Sequence, residues 1–448
     1  MTYEKEESRR KFIKTVVTGT AVLSFDGLLP NFIPAGYAST RPRKKGFPVS
    51  DYQVVAKDAA WCWFSDPRAV YHKGLHEKIY FAYINSRGDV MIGSRDAKSK
   101  QVDSFILHRA LQVDDHNVPS ILFLPDGRIL VFYTEHNGRF FMRKSKHPEN
   151  ILEWEEERTI PFGGKRITYS HPIMLKGEKN RIYMFWRGSD WRPSFSYSDD
   201  LGDTWAPSAA LIESKGKKNR PYLKVSSNDV DRIDFTFTDG HPGVEPTNSV
   251  YHIYYERGTF YQTNGEPIAA INELPIAHHL VRKVYDGTKN NVRAWIADIA
   301  LDKHRRPIIA YTRYPQDTDH RYHYAYWDGA KWRDEEICKG GGWMPVVNPG
   351  EKVREPHYSG GLCLNHQNPA NVYLSRPIDQ VFEIEHWEKR KHSWVTTPLT
   401  AGSGESSMRP YVVVGTPKKD TVVLWMSGLY RHYTQFETAL YINELKGG

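Results

Sequence analysis

Cysteine is scarce: the 448 residues hold three, Cys62, Cys338 and Cys363, an odd number that excludes a disulfide framework. Each is left as a small buried apolar residue or a metal ligand. Long apolar runs are missing too. A membrane helix needs ~20 apolar residues, and the moderately apolar stretch 15–29 is interrupted at Asp26 and closed by Pro30. No Lys/Arg run and no nucleic-acid-binding motif follows Lys45, which argues against a nucleic-acid partner. Helical periodicity is almost absent. Nor does a candidate carboxylate pair stand out of the kind that ordinary glycosidases hold ~5–10 Å apart.

What the chain has is strand. Short β-branched and aromatic runs, such as 78–82, 120–124, 129–133, 181–186 and 233–238, alternate with Asp-Gly, Asn-Gly, Gly-Asp and Pro turns. Aromatics make up 13% of the residues, with 13 Trp and 27 Tyr, rings that suit both half-buried strands and sugar-stacking surfaces. Aligned strand groups give a repeat of four strands, the outer one often marked by Trp, as at Trp154, Trp205, Trp332 and Trp394. Units begin near Ala60, Pro119, Pro172, Arg220, Ile296, Gly360 and Pro410, seven in all. Their spacing of roughly 50 residues is that of propeller blades. The fold expected is therefore all-β, a seven-bladed β-propeller over 53–448, with 439–444 or 53–56 closing the ring. The run from Ser198 to Trp205 carries the Asp-box pattern S-x-D-x-G-x-T-W. In that hairpin turn the Asp binds backbone amides, Gly takes a positive φ and Trp packs inward. The motif is structural, so Asp199 and Asp200 are poor catalytic candidates.

The first 38 residues read as a targeting segment: Ser8-Arg9-Arg10-Lys11-Phe12 is a twin-arginine pattern, and Ala35-Gly36-Tyr37-Ala38 offers small residues for cleavage. A linker over 39–52 follows. The expectation is export to the periplasm or beyond, as a monomer. The formal net charge is +8, of which the leader's five basic and four acidic residues account for one, leaving +7. A modestly positive exported protein favours an anionic polysaccharide partner.

Active sites on propellers form where loops from several blades converge on the central channel. Asp114-Asp115-His116-Asn117 precedes the strand at 120–124, and Thr134-Glu135-His136-Asn137 follows the strand at 129–133. A hairpin returns its two ends to one edge, which predicts His116 and His136 as neighbours, each beside an asparagine, Asn117 and Asn137. By the same logic Tyr169, entering the next blade, and Arg187, leaving its second strand, sit side by side. Arg220-Pro221-Tyr222-Leu223-Lys224 adds Tyr222 and Lys224 as substrate-binding candidates. Two His, a Tyr and an Arg suit proton abstraction next to a carboxylate: Arg187 neutralises a uronate, and Tyr or His residues serve as base and acid. That is β-elimination. His241, His252, Cys338 and His357 form a looser set with the mixed Cys/His character of zinc sites. No close spacing links them, and on the residues alone a buried cysteine with ordinary loop histidines is the favoured reading.

The runs from Ala60 to Ala69 (Ala-Trp-Cys-Trp-Phe-Ser-Asp-Pro-Arg-Ala), from Phe237 to Pro242 and from Tyr358 to Gly361 resemble the BNR-repeat propellers related to ulvan lyases, of polysaccharide lyase families twenty-four and twenty-five. The resemblance covers essentially the whole chain after the leader. It implies a seven-bladed propeller acting on rhamnose–uronate polysaccharides by β-elimination, with a structural zinc. It also implies His116 and His136 as the active-site histidines, Tyr169 as the catalytic tyrosine, Arg187 as the carboxylate-neutralising arginine and Tyr222 as a further substrate residue. The zinc set it implies falls on His241, Cys338 and His357, with His252 the least matched. Two relatives leave the reaction open: an oligosaccharide dehydratase that expels water from a terminal uronate, and α-L-rhamnosidases with chemistry on the opposite face, near His72 and His76. A non-catalytic sugar-binding propeller is a further alternative.

Overall fold

The computed structural model describes residues 52–446 apart from 165, 217, 346, 349 and 392; the expected leader and nearly all of the expected linker lie outside them. Seven antiparallel sheets follow one another along the chain. Blade 1 runs from the inner strand Ala69–Lys73 to Val102–His108, blade 2 from Ser120–Phe123 to Arg158–Ile160, and blade 3 from Thr168–Leu175 to Ala209–Ala210. Blade 4 begins at Leu223–Ser227 and carries two additional strands, Pro267–Ala270 and Lys283–Tyr285. Blades 5 and 6 span 293–341 and 362–398. Blade 7 is built from Ser407–Val412, Asp420–His432 and Gln435–Lys446, and its fourth strand is the N-terminal Tyr52–Ala56. Both segments expected to close the ring thus lie side by side, Gln53 opposite Ile442 and Val54 opposite Tyr441.

The core lies between blades, where strand alternation turns apolar faces toward each other. Leu130, Phe132 and Met142 of blade 2 meet Met184 and Trp186 of blade 3, and Phe162 stacks on Trp186 at 4.2 Å. Each such side chain contributes ~1.5–3 kcal/mol by leaving water. The Asp-box locks the outer edge of this layer. Asp200 accepts from the Thr204 amide at 2.8 Å and hydroxyl at 2.6 Å, Gly202 adopts φ +91°, and Trp205 stands edge-on to Phe162 at 5.3 Å.

The first unit differs from expectation. Blade 1 starts at Ala69, whereas 60–68 crosses the centre of the ring. Trp61 and Phe64 are buried. Trp61 donates its indole N–H to the Arg409 carbonyl of blade 7 at 3.1 Å, and Trp63 packs edge-on against Trp295 of blade 5 at 4.9 Å. Phe64 rests on Tyr169 of blade 3 and Tyr222 of blade 4 at 5.1 and 5.0 Å. So apolar a run cannot stay in water, and it fills the channel as a plug. No helix among the described residues is long and apolar enough to cross a membrane.

Candidate active site

One mouth of the channel opens as a cleft of about 480 Å³. Four of its lining residues, Tyr169, Tyr222, Trp295 and Tyr358, rest on Phe64 or Trp63 of the plug. The plug therefore supports the site from below.

The blade 2 hairpin, with Ser120 opposite Phe132, brings its two flanking segments together. Asp114 caps a single turn at Asp115–Asn117 by accepting the His116 amide. Its carboxylate then holds both histidines: Oδ1 lies 2.7 Å from His116 Nδ1 and Oδ2 lies 2.8 Å from His136 Nδ1. The rings stack at 4.2 Å with 7° between their planes, and Tyr433 covers the His116 ring edge-on at 4.6 Å. Burial opposes ionisation of Asp114, but the two histidines outweigh it and hold the carboxyl well below its usual range. An ionised carboxylate only accepts, so each histidine carries its Nδ1 proton and leaves Nε2 for the cleft. The pair is not equivalent. Burial disfavours the His116 cation, yet Asp114, Cys62 and Asp115 raise its pKa well above 6.5. His136, buried and beside that cation, is pushed down to about 4.

Tyr169 sits at a break in the strand register of blade 3, between Thr168 and His171. Its φ of +70° is unusual for a side-chain-bearing residue, and burial raises its phenol pKa well above 10. Thr168 pairs with Arg187 across the strands, and the Arg187 guanidinium lies 5.3 Å from the Tyr169 ring centre. Arg187 is buried. It donates to the Thr168 hydroxyl at 2.7 Å, the Asn137 side-chain carbonyl at 2.8 Å and the Tyr222 hydroxyl at 3.2 Å. All three partners are neutral, its Nε has no partner, and none of the ion pairs among the described residues includes it.

The structure thus brings together His116, His136, Tyr169, Arg187, Asn137 and Tyr222 in the cleft, which His241, expected from sequence as a metal ligand, also lines. Two further candidates lie elsewhere. Asn117 is buried behind the histidines, donating to the Gln112 side chain at 3.0 Å, and Gln112 in turn accepts the His136 amide at 2.7 Å. Lys224 is buried on the plug, paired with Asp66 and donating to the Trp63 carbonyl at 2.5 Å. It follows Tyr222 by two strand positions, roughly 7 Å further down the channel.

Of the metal candidates, His241 and His357 meet with rings 4.6 Å apart. Their third neighbour is Glu355, and the ligand atoms of all three lie within 4.8 Å of one another. His357 Nε2 is buried without a hydrogen bond, although Glu355 Oε2 is 3.0 Å away. Cys338 and His252 do not join them. Cys338 lies on the outer strand of blade 5, paired with Tyr322, and the ring nitrogens of His252 face Thr263 at 2.9 Å and Asp234 at 3.1 Å. His72 and His76 are outside the cleft: His72 stacks on Phe123 at 3.9 Å, and Glu149 accepts the His76 amide at 2.7 Å.

Sequence reasoning passed over Asp114, Glu355, Tyr433 and the group Arg166, Trp191 and Arg220, all in or beside the cleft. Asp114 had a signal, an acidic residue two before His116. The others sit in loops whose path the strand pattern leaves open.

The chain is 27% identical over 166 residues to an ulvan lyase of Pseudoalteromonas sp. (strain PLSV), covering 32% of this chain and 31% of that protein. It is 24% identical over 266 residues to an ulvan lyase of Alteromonas sp. (strain LOR), covering 49% and 52%. It therefore spans about a third and about half of the length of these relatives. A solved PL25 ulvan lyase bound to -[GlcA(1-4)Rha3S]- superposes with a TM-score of 0.64 at 15% identity, over 89% of this chain and 96% of that one. A lectin from Burkholderia pseudomallei superposes with a TM-score of 0.51 at 9% identity, over 88% and 97%. These likenesses establish the propeller alone, since the architecture serves both a lyase and a lectin. The family model of BNR repeat-containing proteins matches residues 78–339, more than half of the sequence, and the chain belongs to that family.

Proposed function

We propose that this chain is a polysaccharide lyase that cleaves a rhamnose–uronate glycan by β-elimination. The observation that carries the reading is Arg187, a buried guanidinium whose protein partners are all neutral. A buried cation without a counter-charge is costly, and a uronate carboxylate supplies the missing charge. Neutralised there, the carboxylate acidifies the neighbouring C5 proton. His136, neutral with its Nε2 lone pair available, accepts that proton. The C5–H electron pair forms the C4=C5 bond as the C4–O bond breaks, and the Tyr169 phenol protonates the departing oxygen. His116, held cationic by Asp114, places a second positive charge beside the acid group. The ulvan lyases among its relatives support the glycan class.

His241, Glu355 and His357 fit a zinc ion by donor type and by the orphaned His357 nitrogen. Bound there, zinc would fasten Glu355 and His357, which precede blade 6, to His241 of blade 4 as a structural tie. Export by the twin-arginine leader completes the proposal and brings the enzyme to its polymer.

The test is incubation with ulvan. Absorbance of an unsaturated uronate should rise, and Tyr169→Phe should lower the rate by ~10²–10⁴-fold. No rise on any uronate-containing polymer or oligomer would overturn the reading.

A further inference from the structure

Beside Arg187 the same cleft carries a second cationic corner. Arg166 and Arg220 both line it together with Trp191. The Arg166 guanidinium lies 4.0 Å from the Trp191 ring centre and that of Arg220 lies 5.5 Å from it. The ring is held there by backbone that side-chain-bearing residues rarely adopt, with φ +55° at Asp190 and +56° at Trp191. Charge is left over. Among the described residues Asp190 is the one carboxylate paired in this corner, and it is shared, 4.0 Å from Arg166 and 3.9 Å from Arg192. Arg220 has no ion pair among the described residues, and its Nε is buried without a hydrogen bond.

One uronate takes one guanidinium, Arg187, so the corner has capacity to spare. Guanidinium forks match the oxygens of a sulfate ester or a carboxylate, and their stacking on Trp191 pre-sets them at small entropic cost. We infer that Arg166 and Arg220, braced on Trp191, form a subsite for a second anionic group of the glycan, carried on a sugar next to the uronate that Arg187 binds. The inference rests on the reading of the cleft as a uronate site. It adds that the substrate must be anionic at two places, and that the Trp191 corner sets this preference.

The test compares sulfated ulvan oligosaccharides with the same oligosaccharides after chemical desulfation. Binding is read by calorimetry and turnover by absorbance, for the wild type, Arg166→Ala, Arg220→Ala and the double variant. Thermal melts confirm that each variant folds, and the half-buried position of Arg166 makes its variant the safer reference. The wild type should bind the sulfated form roughly tenfold or more tightly, the scale of a charge-assisted contact. That ratio should collapse toward one in the double variant. If the double variant keeps the wild-type preference for the sulfated form, or if a second carboxylate-bearing sugar binds the variants as well as the wild type, the inference falls. Affinity without any absorbance change would overturn the lyase reading and leave the subsite standing.

Discussion

Two arginines in the same channel show what pairing decides. Arg409 of blade 7 is buried, and its charge is paired although its Nε has no hydrogen-bond partner. It donates to Asp115 at 2.5 Å, to the Trp61 carbonyl at 2.6 Å and to the Tyr430 hydroxyl at 2.7 Å. Arg187 of blade 3 is equally buried, yet it meets neutral oxygens alone. The first cation ties the plug, blade 7 and the His116 turn into one unit. The second waits for a charge from outside. Burial alone does not distinguish a structural cation from a binding one; the partner list does.

Substitution should separate the two roles cleanly. Arg187→Ala is expected to abolish elimination, by ~10³-fold or more, because it removes the charge that stabilises the transition state. Its melting temperature should hold or rise, since a buried unpaired cation is lost. Arg409→Ala should do the reverse in stability, costing about 3–5 kcal/mol by stranding Asp115, as chemical denaturation would measure. Equal stability losses in the two variants would erase the distinction.

The next effect concerns charge within the histidine pair. Activity requires His136 neutral, so kcat/KM should fall as pH drops through about 4. His116 must stay protonated, and its raised pKa places the alkaline limb above neutrality. Asp114→Asn removes the carboxylate that retains this proton. The alkaline limb should then move toward the ordinary histidine range near 6.5, while the acid limb should not rise, because His136 loses a group that favoured its cation. A pH–rate profile unchanged in shape would refute the assignment.

Two smaller effects sharpen the contrast between scaffold and site. Chelation should lower the melting temperature if zinc ties His241, Glu355 and His357, and elemental analysis of protein never exposed to chelator should find the metal. Asp200→Ala in the Asp-box should cost about 1–2 kcal/mol, the value of a lost cap-like bond, with turnover intact.

The blades, the Asp-box and the histidine pair were legible in sequence because each rests on local rules: strand alternation, turn chemistry and hairpin return. Lys224 was misplaced because alternation gives a residue's face but not its depth, and the plug divides the channel between Tyr222 and Lys224. The plug itself read as the start of a blade, since apolar aromatics look alike in a strand and in a channel. Glu355 was hidden because the loop joining blades 5 and 6 has no periodicity to fix its path. His252 and Cys338 show the converse: metal-competent residues whose neighbours, Asp234 and Tyr322, already engage or flank them.

The most direct test of the central claim is mass spectrometry of the products from a defined uronate-containing ulvan oligosaccharide. The account predicts two fragments whose masses sum to that of the substrate, one ending in an unsaturated uronate. Fragments that sum to substrate plus one water would mean hydrolysis and contradict it. A single uncleaved product lighter by one water would contradict the lyase, keeping the proton abstraction but making the enzyme a dehydratase.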